Sequence, residues 1–409
     1  MKKAMIVLAA LILGILLGAL MADRAPIVTQ AADIVGTLWL NALRMTVIPL
    51  VVSLLFVGIV QTAKAAKAGK IAGRSVAIMI ALLWTSSAVA AIMIPLLTNA
   101  FPIPESAQAA MTSALGSIPP QETAEPFTEI LKKVIPTNPI SSAANADVLP
   151  LIVFTLAFAF AAIRLPEDKR SSLLSLFEAV ADSMVMLVGW VLVLAPVGVF
   201  ALAYVLGVTA GTASFAGLLH YVVVLVVTGG ILWLLSFFIA WLAAGQNPLK
   251  FFRAAIPAQA VAISTQSSLA SVPAMLNGLD QLGVRRGTSE ITLPIAVALF
   301  RATGPAMNFG VALYIAHWLG IELTAGQIAL GLAAGAITTM GAVSLPGSIS
   351  FISSIAPICL AMGIPVEPLG LLIAIETFPD IMRTLGNVTM DMAVTATVDK
   401  HTGEDGETV

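Results

Sequence analysis

The chain has 409 residues, of which 59% are hydrophobic and only 10% charged, and its mean hydropathy is +1.00. A soluble domain carries roughly 25% charged residues, so this composition excludes a water-soluble globule and makes lipid the solvent for most of the chain. A net charge of −2 supplies no basic field for nucleic acid, and the lone Cys359 excludes an internal disulfide and a cysteine-based metal cage.

Met1-Lys2-Lys3 leads into an apolar run over 4–22. The run resembles a signal peptide, but no clear small-residue cleavage site precedes a soluble domain, so it is expected to remain as a first helix. A bilayer core of about 30 Å needs about 20 apolar residues per helix. Further spans are predicted on that measure over 33–62, 75–98, 146–163, 172–206 and 213–243. The longest must tilt, kink or protrude, and Pro49 and Pro196 are the expected kinks. The stretch 99–133, with Glu105, Glu122, Glu125, Glu129 and several prolines, reads as a solvated outer loop. His220, His317 and His401 show no metal-ligand spacing.

After Lys250 the pattern changes. Segments 254–283 and 325–361 are apolar at both ends and polar in the middle. The first centres on Ser264-Thr265-Gln266-Ser267-Ser268. The second centres on Thr338-Thr339-Met340-Gly341 and Ser344-Leu345-Pro346-Gly347-Ser348. Unpaired backbone at mid-depth costs several kcal/mol unless it faces protein or a water-filled cavity. Two re-entrant helical hairpins with tips near mid-membrane satisfy that demand, and two kinked helices are the plainer alternative. Spans at 289–316 and 367–398 follow the hairpins, and such a repeat with broken helices marks secondary transporters.

With a cytoplasmic N-terminus, the inner loops collect Lys2, Lys3, Lys64, Lys67, Lys70, Arg74, Arg164, Lys169, Arg170, Lys250, Arg253, Arg285, Arg286 and Lys400. The outer side keeps Arg24, Lys132 and Lys133. This is the bias of the positive-inside rule, and it requires both polar segments to return to their starting side.

The last span holds Glu376, Asp380, Arg383, Asn387 and Asp391, with Thr384 at the edge of the same stripe. At about 100° per residue the five share roughly 80° of arc. Ionisable groups inside a membrane mark substrate or ion paths, although an internal salt-bridge ladder is the structural alternative. Arg383 suits a carboxylate clamp, Asp380 an ammonium group, and Asn387 a second carboxylate. Hairpin tips add backbone N–H groups at half-helix N-termini, where the dipole favours anions.

Several motifs now converge. They are Ile135-Pro136-Thr137-Asn138-Pro139, Ala195-Pro196-Val197-Gly198-Val199-Phe200-Ala201-Leu202, the Ser-rich first tip, Leu345-Pro346-Gly347, and Asp380-x-x-Arg383-Thr384-x-x-Asn387-Val388-Thr389-x-Asp391. Through them the whole chain resembles the glutamate/aspartate transporter family (dicarboxylate/amino acid:cation symporters). The resemblance implies an all-α integral membrane fold with eight transmembrane helices, two re-entrant hairpins, inverted repeats and an elevator-type homotrimer. It implies scaffold helices in 1–74, a transport-domain helix in 75–98 and an outer loop in 99–133. Helices 4–6 fall in 134–245, the first two scaffold and the third transport domain. The transport core is 246–398, and 399–409 is a cytoplasmic tail. Asp380 matches the position holding the substrate amino group, Arg383 that holding the side-chain carboxylate, and Asn387 that near the α-carboxylate. Ser267 and Ser268 fall in the first tip, and Leu345, Pro346 and Gly347 in the second. Relatives without the Arg tend to carry neutral substrates, and C4-dicarboxylate carriers tend to lack the Asp.

One departure is large. Sodium-coupled relatives carry Asn-Met-Asp-Gly-Thr between the hairpins, whereas this chain reads Phe300-Arg301-Ala302-Thr303-Gly304-Pro305-Ala306. Asp391, Thr85 and Ser86 match sodium-site positions that are kept. Arg301 is therefore expected to occupy a sodium ion's space and pair with Asp391, or else to turn to Glu376 or a surface. Sodium would then be excluded and no metal or cofactor used, and Glu376, one turn before Asp380, becomes the candidate proton carrier. Arg44 matches a basic family position and is expected to meet a lipid headgroup or a charge on the moving domain. The expected activity is aspartate or glutamate transport across a cell (inner) membrane, with both termini cytoplasmic. A dicarboxylate or cystine carrier and an anion channel are the alternatives. No Ser/His pair, Cys nucleophile or catalytic metal spacing supports an enzyme.

Overall fold

The computed structural model describes residues 2–21, 26–113, 132, 134–340 and 347–404, and among these every regular element is helical. The first elements are α1 (Lys2–Met21), α2 (Pro26–Arg44), α3 (Val47–Ala66), α4 (Lys70–Ala100) and the short α5 (Glu105–Ser113). Next come α6 (Pro139–Ala144), α7 (Val148–Ile163), α8 (Glu167–Val193), α9 (Ala195–Ala210) and α10 (Ser214–Leu242). The C-terminal part comprises α11 (Pro248–Thr265), α12 (Ser268–Leu282), α13 (Arg286–Leu299), α14 (Gly304–Trp318), α15 (Ala325–Thr339), α16 (Gly347–Ala361), the single turn α17 (Leu369–Leu372) and α18 (Thr377–Glu404). Among the described residues, Pro26–Ala66, Lys70–Ala100, Glu167–Val193, Gly211–Leu242 and Arg286–Trp318 are long and apolar enough to cross a bilayer. This is a multi-pass membrane protein.

Two predicted spans are each interrupted. The span 33–62 breaks at Met45–Thr46, where Thr46 Oγ1 donates to Leu43 O at 2.7 Å. Pro49 has no N–H to offer the Met45 carbonyl four residues back. The span 172–206 breaks at Leu194 because Pro196 likewise cannot donate to Leu192. The Trp39 indole donates to Val191 O beside that break, at 3.1 Å. The stretch 99–133 is also not all solvated loop. Ile103 and Ala107, one turn apart, are buried, and Gln108 Nε2 donates to Trp318 O at 3.0 Å. Glu122, Glu125 and Glu129 lie outside the described residues.

Helix α1 is apolar all round but buries Leu11, Gly14, Ile15 and Gly18, one stripe at helical spacing. The two glycines, spaced Gly-x-x-x-Gly, let its backbone touch that of α9. A Cβ on Gly14 would lie 2.7 Å from Phe200 O. One on Gly18 would collide with Tyr204 O, and one on Gly207 with Ile15 O.

Both polar-centred segments are helical hairpins. Asn247 caps α11, and the chain turns at Gln266, whose φ of 53° ends that helix left-handed. Ser267 then caps α12 by accepting from Ala270 N at 3.2 Å. The arms run antiparallel, so a Cβ on Gly278 would lie 2.5 Å from Ala254 O. In the second hairpin a Thr324/Gln327 capping box starts α15. Gln327 Nε2 reaches Met362 O at 2.9 Å, closing the open end against α16. The tip residues 341–346, including Leu345 and Pro346, lie outside the described residues, and Gly347 begins α16.

Each hairpin is followed by a broken helix. Phe300–Thr303 separates α13 from α14, and Ile373–Glu376 separates α17 from α18. Helix α18 packs on α10, α11 and α13, so both its polar positions and the first break are enclosed by helices.

Candidate functional site

Glu376 is not on the α18 face that periodicity gives it. It sits in the turn before Thr377, with its carbonyl accepting from Asp380 N at 2.9 Å. Its carboxylate nevertheless reaches the same cation. Arg383 Nη1 lies 2.6 Å from Glu376 Oε1 and 3.0 Å from Asp380 Oδ1. From α10, the Tyr221 hydroxyl donates to Glu376 Oε2 at 3.1 Å. Glu376, Asp380 and Arg383 are all at most 3% exposed. Buried charges are costly unless paired, and here two carboxylates share one guanidinium nitrogen, Arg383 Nη1. Among the described residues Arg383 Nε and Nη2 have no hydrogen-bond partner, so this guanidinium keeps donors for a further carboxylate.

The break in the preceding helix is pinned to α18. Thr303 N donates to Asn387 Oδ1 at 2.9 Å, and the Thr303 hydroxyl lies 2.9 Å from both Asn387 Oδ1 and Arg383 O. Gly386 makes room for this contact, since a Cβ there would lie 2.5 Å from Thr303 Cγ2. With its amide oxygen committed, Asn387 has its NH2 group left to offer. Thr303→Val keeps the shape and the backbone bond but loses the hydroxyl. It is expected to cost about 1–3 kcal/mol, seen as a lower melting temperature of the purified protein.

Arg301 lines a small cavity of about 10 Å³ with Gly304, Asn308, Thr339, Phe351, Ser354 and Arg383. That is room for about one water. The cavity joins the break, α18 and both arms of the second hairpin. The first hairpin's tip is not in its lining: Ser267 and Ser268 are half-buried at the start of α12. The Thr384 hydroxyl donates to Asp380 O of its own helix at 2.9 Å. Thr85 is exposed and bonds back to Ala81 O, whereas Ser86 is buried.

The expected contact between Arg301 and Asp391 is not made. Asp391 is fully buried, and neither of its carboxylate oxygens has a hydrogen-bond partner among the described residues. Thr303 fixes the break opposite residues 383–387, and Asp391 lies eight residues beyond Arg383, roughly 12 Å along the axis. Arg44, at the end of α2, forms an ion pair with Glu367 just ahead of α17. Among the described residues no group of three His, Cys, Asp or Glu side chains is placed to hold a metal ion.

Sequence reasoning missed Tyr221, Asn308, Ser354 and the role of Thr303. Tyr221 stands in the run Tyr221-Val222-Val223-Val224-Leu225, where nothing local distinguishes it from packing. Thr303 ahead of Gly304-Pro305 carries a helix-start signature that would have flagged it.

A model of the sodium:dicarboxylate symporter family matches residues 4–401. The chain is 28% identical over 402 residues to the proton/sodium-glutamate symport protein of Bacillus subtilis (strain 168), covering 96% of this chain and 91% of that one. It is 26% identical over 397 residues to the proton/glutamate-aspartate symporter of Escherichia coli (strain K12), covering 93% and 89%. It is also 28% identical over 408 residues to C4-dicarboxylate transport protein 2 of Ralstonia nicotianae (strain ATCC BAA-1114 / GMI1000), covering 96% and 87%.

Proposed function

The chain belongs to the sodium:dicarboxylate symporter family, and within it we propose that the protein carries aspartate or glutamate across a cell membrane by secondary transport. The observation that carries this reading is the buried Arg383, held by Glu376 and Asp380, with its Nε and Nη2 nitrogens unpartnered among the described residues. A substrate carboxylate takes the place of Glu376 on the guanidinium. Asp380 accepts from the substrate ammonium group, and the Asn387 amide donates to the α-carboxylate, with the Ser268 tip closing the site. The names of the glutamate and glutamate-aspartate relatives support this substrate class, and the C4-dicarboxylate relative keeps succinate as its competitor.

The same reading includes an elevator homotrimer in an inner membrane with both termini cytoplasmic, eight spanning helices and two re-entrant hairpins. The transport domain comprises 75–98, the third helix of 134–245, and 246–398. The Arg44–Glu367 ion pair then ties a scaffold helix to that domain.

Coupling is to protons rather than sodium. The break offers a guanidinium where sodium-coupled relatives have Asn and Asp ligands, and Glu376, once displaced from Arg383, is the carboxylate that takes a proton. A second reading rests on Asp391, whose fully buried oxygens lack hydrogen-bond partners among the described residues and suit a bound cation. Proteoliposomes with an inward pH gradient or an inward sodium gradient separate the two. Labelled aspartate uptake is expected to follow the pH gradient and to persist without sodium. A strict sodium requirement would overturn the proton reading in favour of a cation on Asp391.

A further inference from the structure

The open end of the first hairpin, where α11 begins and α12 finishes, forms a cleft of about 260 Å³ lined by Asn247, Leu249, Lys250, Arg253, Ala254 and Gln281. Charges gather at this end of the molecule. Arg285 pairs with Asp399 at 2.7 Å and Arg286 with Asp280 at 3.0 Å, and a Cβ on Gly245 would lie 3.2 Å from Lys400 Nζ. Such a band of charge marks the level at which an apolar body meets water. Lys250 and Arg253 form no ion pair among the described residues, and Asp280, the carboxylate next to Gln281 in the chain, is spent on Arg286. We infer that this cleft binds the phosphate of an anionic phospholipid headgroup.

Asn247, Lys250 and Arg253 follow one another at intervals of three residues, so they rise along one face of α11. Asn247 Oδ1 is committed to Leu249 N and Lys250 N, at 3.0 and 3.1 Å, which leaves its NH2 group to donate. An ammonium, a guanidinium and the amide groups of Asn247 and Gln281 therefore border one cleft. The positive end of the α11 dipole lies at the same place. Two cations on one face repel, and a phosphate between them replaces that repulsion with charge-assisted hydrogen bonds. The surroundings favour a lipid over a free ion. Leu249 and Ile256, four residues before and three after Arg253, share its side of the helix and are 58% and 45% exposed. A cation flanked by exposed apolar side chains suits a headgroup with acyl chains attached.

The test titrates the purified full-length protein with dihexanoyl phosphatidylglycerol, dihexanoyl phosphatidylcholine and inorganic phosphate, followed by calorimetry. The wild type is expected to bind the phosphatidylglycerol at least about tenfold more tightly than the phosphatidylcholine, with the preference shrinking in high salt. Lys250→Gln/Arg253→Gln is expected to bring the two lipids within about threefold of each other. It should melt as the wild type does, because both side chains are exposed. Lys250→Arg/Arg253→Lys keeps both charges and should keep the preference. A preference that survives the double glutamine variant, or a wild type that binds both lipids equally, overturns the site. Inorganic phosphate bound as tightly as phosphatidylglycerol overturns the assignment to lipid.

Discussion

Arg383→Ala is expected to reduce aspartate and glutamate uptake into proteoliposomes by at least about 100-fold, because charged hydrogen bonds each contribute roughly 1.5–3 kcal/mol and a carboxylate meets this guanidinium through more than one. The same change strands Glu376 and Asp380, both nearly inaccessible to solvent. Breaking a buried pair by removing one partner costs about 3–5 kcal/mol, so the variant should also melt well below the wild type. The two effects separate in the double variant Arg383→Ala/Glu376→Gln. Neutralising Glu376 removes one stranded charge, so thermal stability should recover in part while uptake of acidic substrates stays lost. Recovery of uptake together with stability would mean that Arg383 serves packing alone.

Gly207→Leu is expected to give the largest structural effect. Its added side chain meets the Ile15 backbone of α1, which has no rotamer to yield. Overpacking costs about 1–3 kcal/mol where side chains can shift, and a backbone obstacle puts this site at the upper end or beyond. The variant should show a lower melting temperature and poor recovery of monodisperse protein in size-exclusion chromatography. Gly189→Leu on α8, where an added Cβ meets nothing within 4 Å, is the control and should behave as the wild type. Equal behaviour of the two variants would show that α1 does not depend on its contact with α9.

Much of the buried charged cluster was legible because polarity inside an apolar chain is conspicuous. Asp380, Arg383, Asn387 and Asp391 stand out against their span, and their spacing placed them on one helix. The two hairpins were legible for the same reason, since serines, threonines and a proline in the middle of an apolar run demand an interruption. Glu376 was misplaced because periodicity continues through a sequence whether or not the helix does, and the turn Ile373–Glu376 carries no proline or glycine to announce itself. The buried stripe of α1 was invisible because every face of that helix is apolar, and only contact with α9 selects one. Tyr221 lies 155 residues from the carboxylate it meets, and no local pattern encodes that distance.

Composition and local pattern alone therefore determined that lipid is the solvent, where the chain must leave regular helix, and which charged row must face protein. Those are one-dimensional consequences of the cost of exposing charge or unpaired backbone to hydrocarbon. Tertiary structure alone decided how the buried charges are arranged: Glu376 and Asp380 meet on Arg383, while Asp391 has no hydrogen-bond partner among the described residues. That choice depends on how far Thr303 draws the broken helix along α18, a distance set by packing between segments some 80 residues apart.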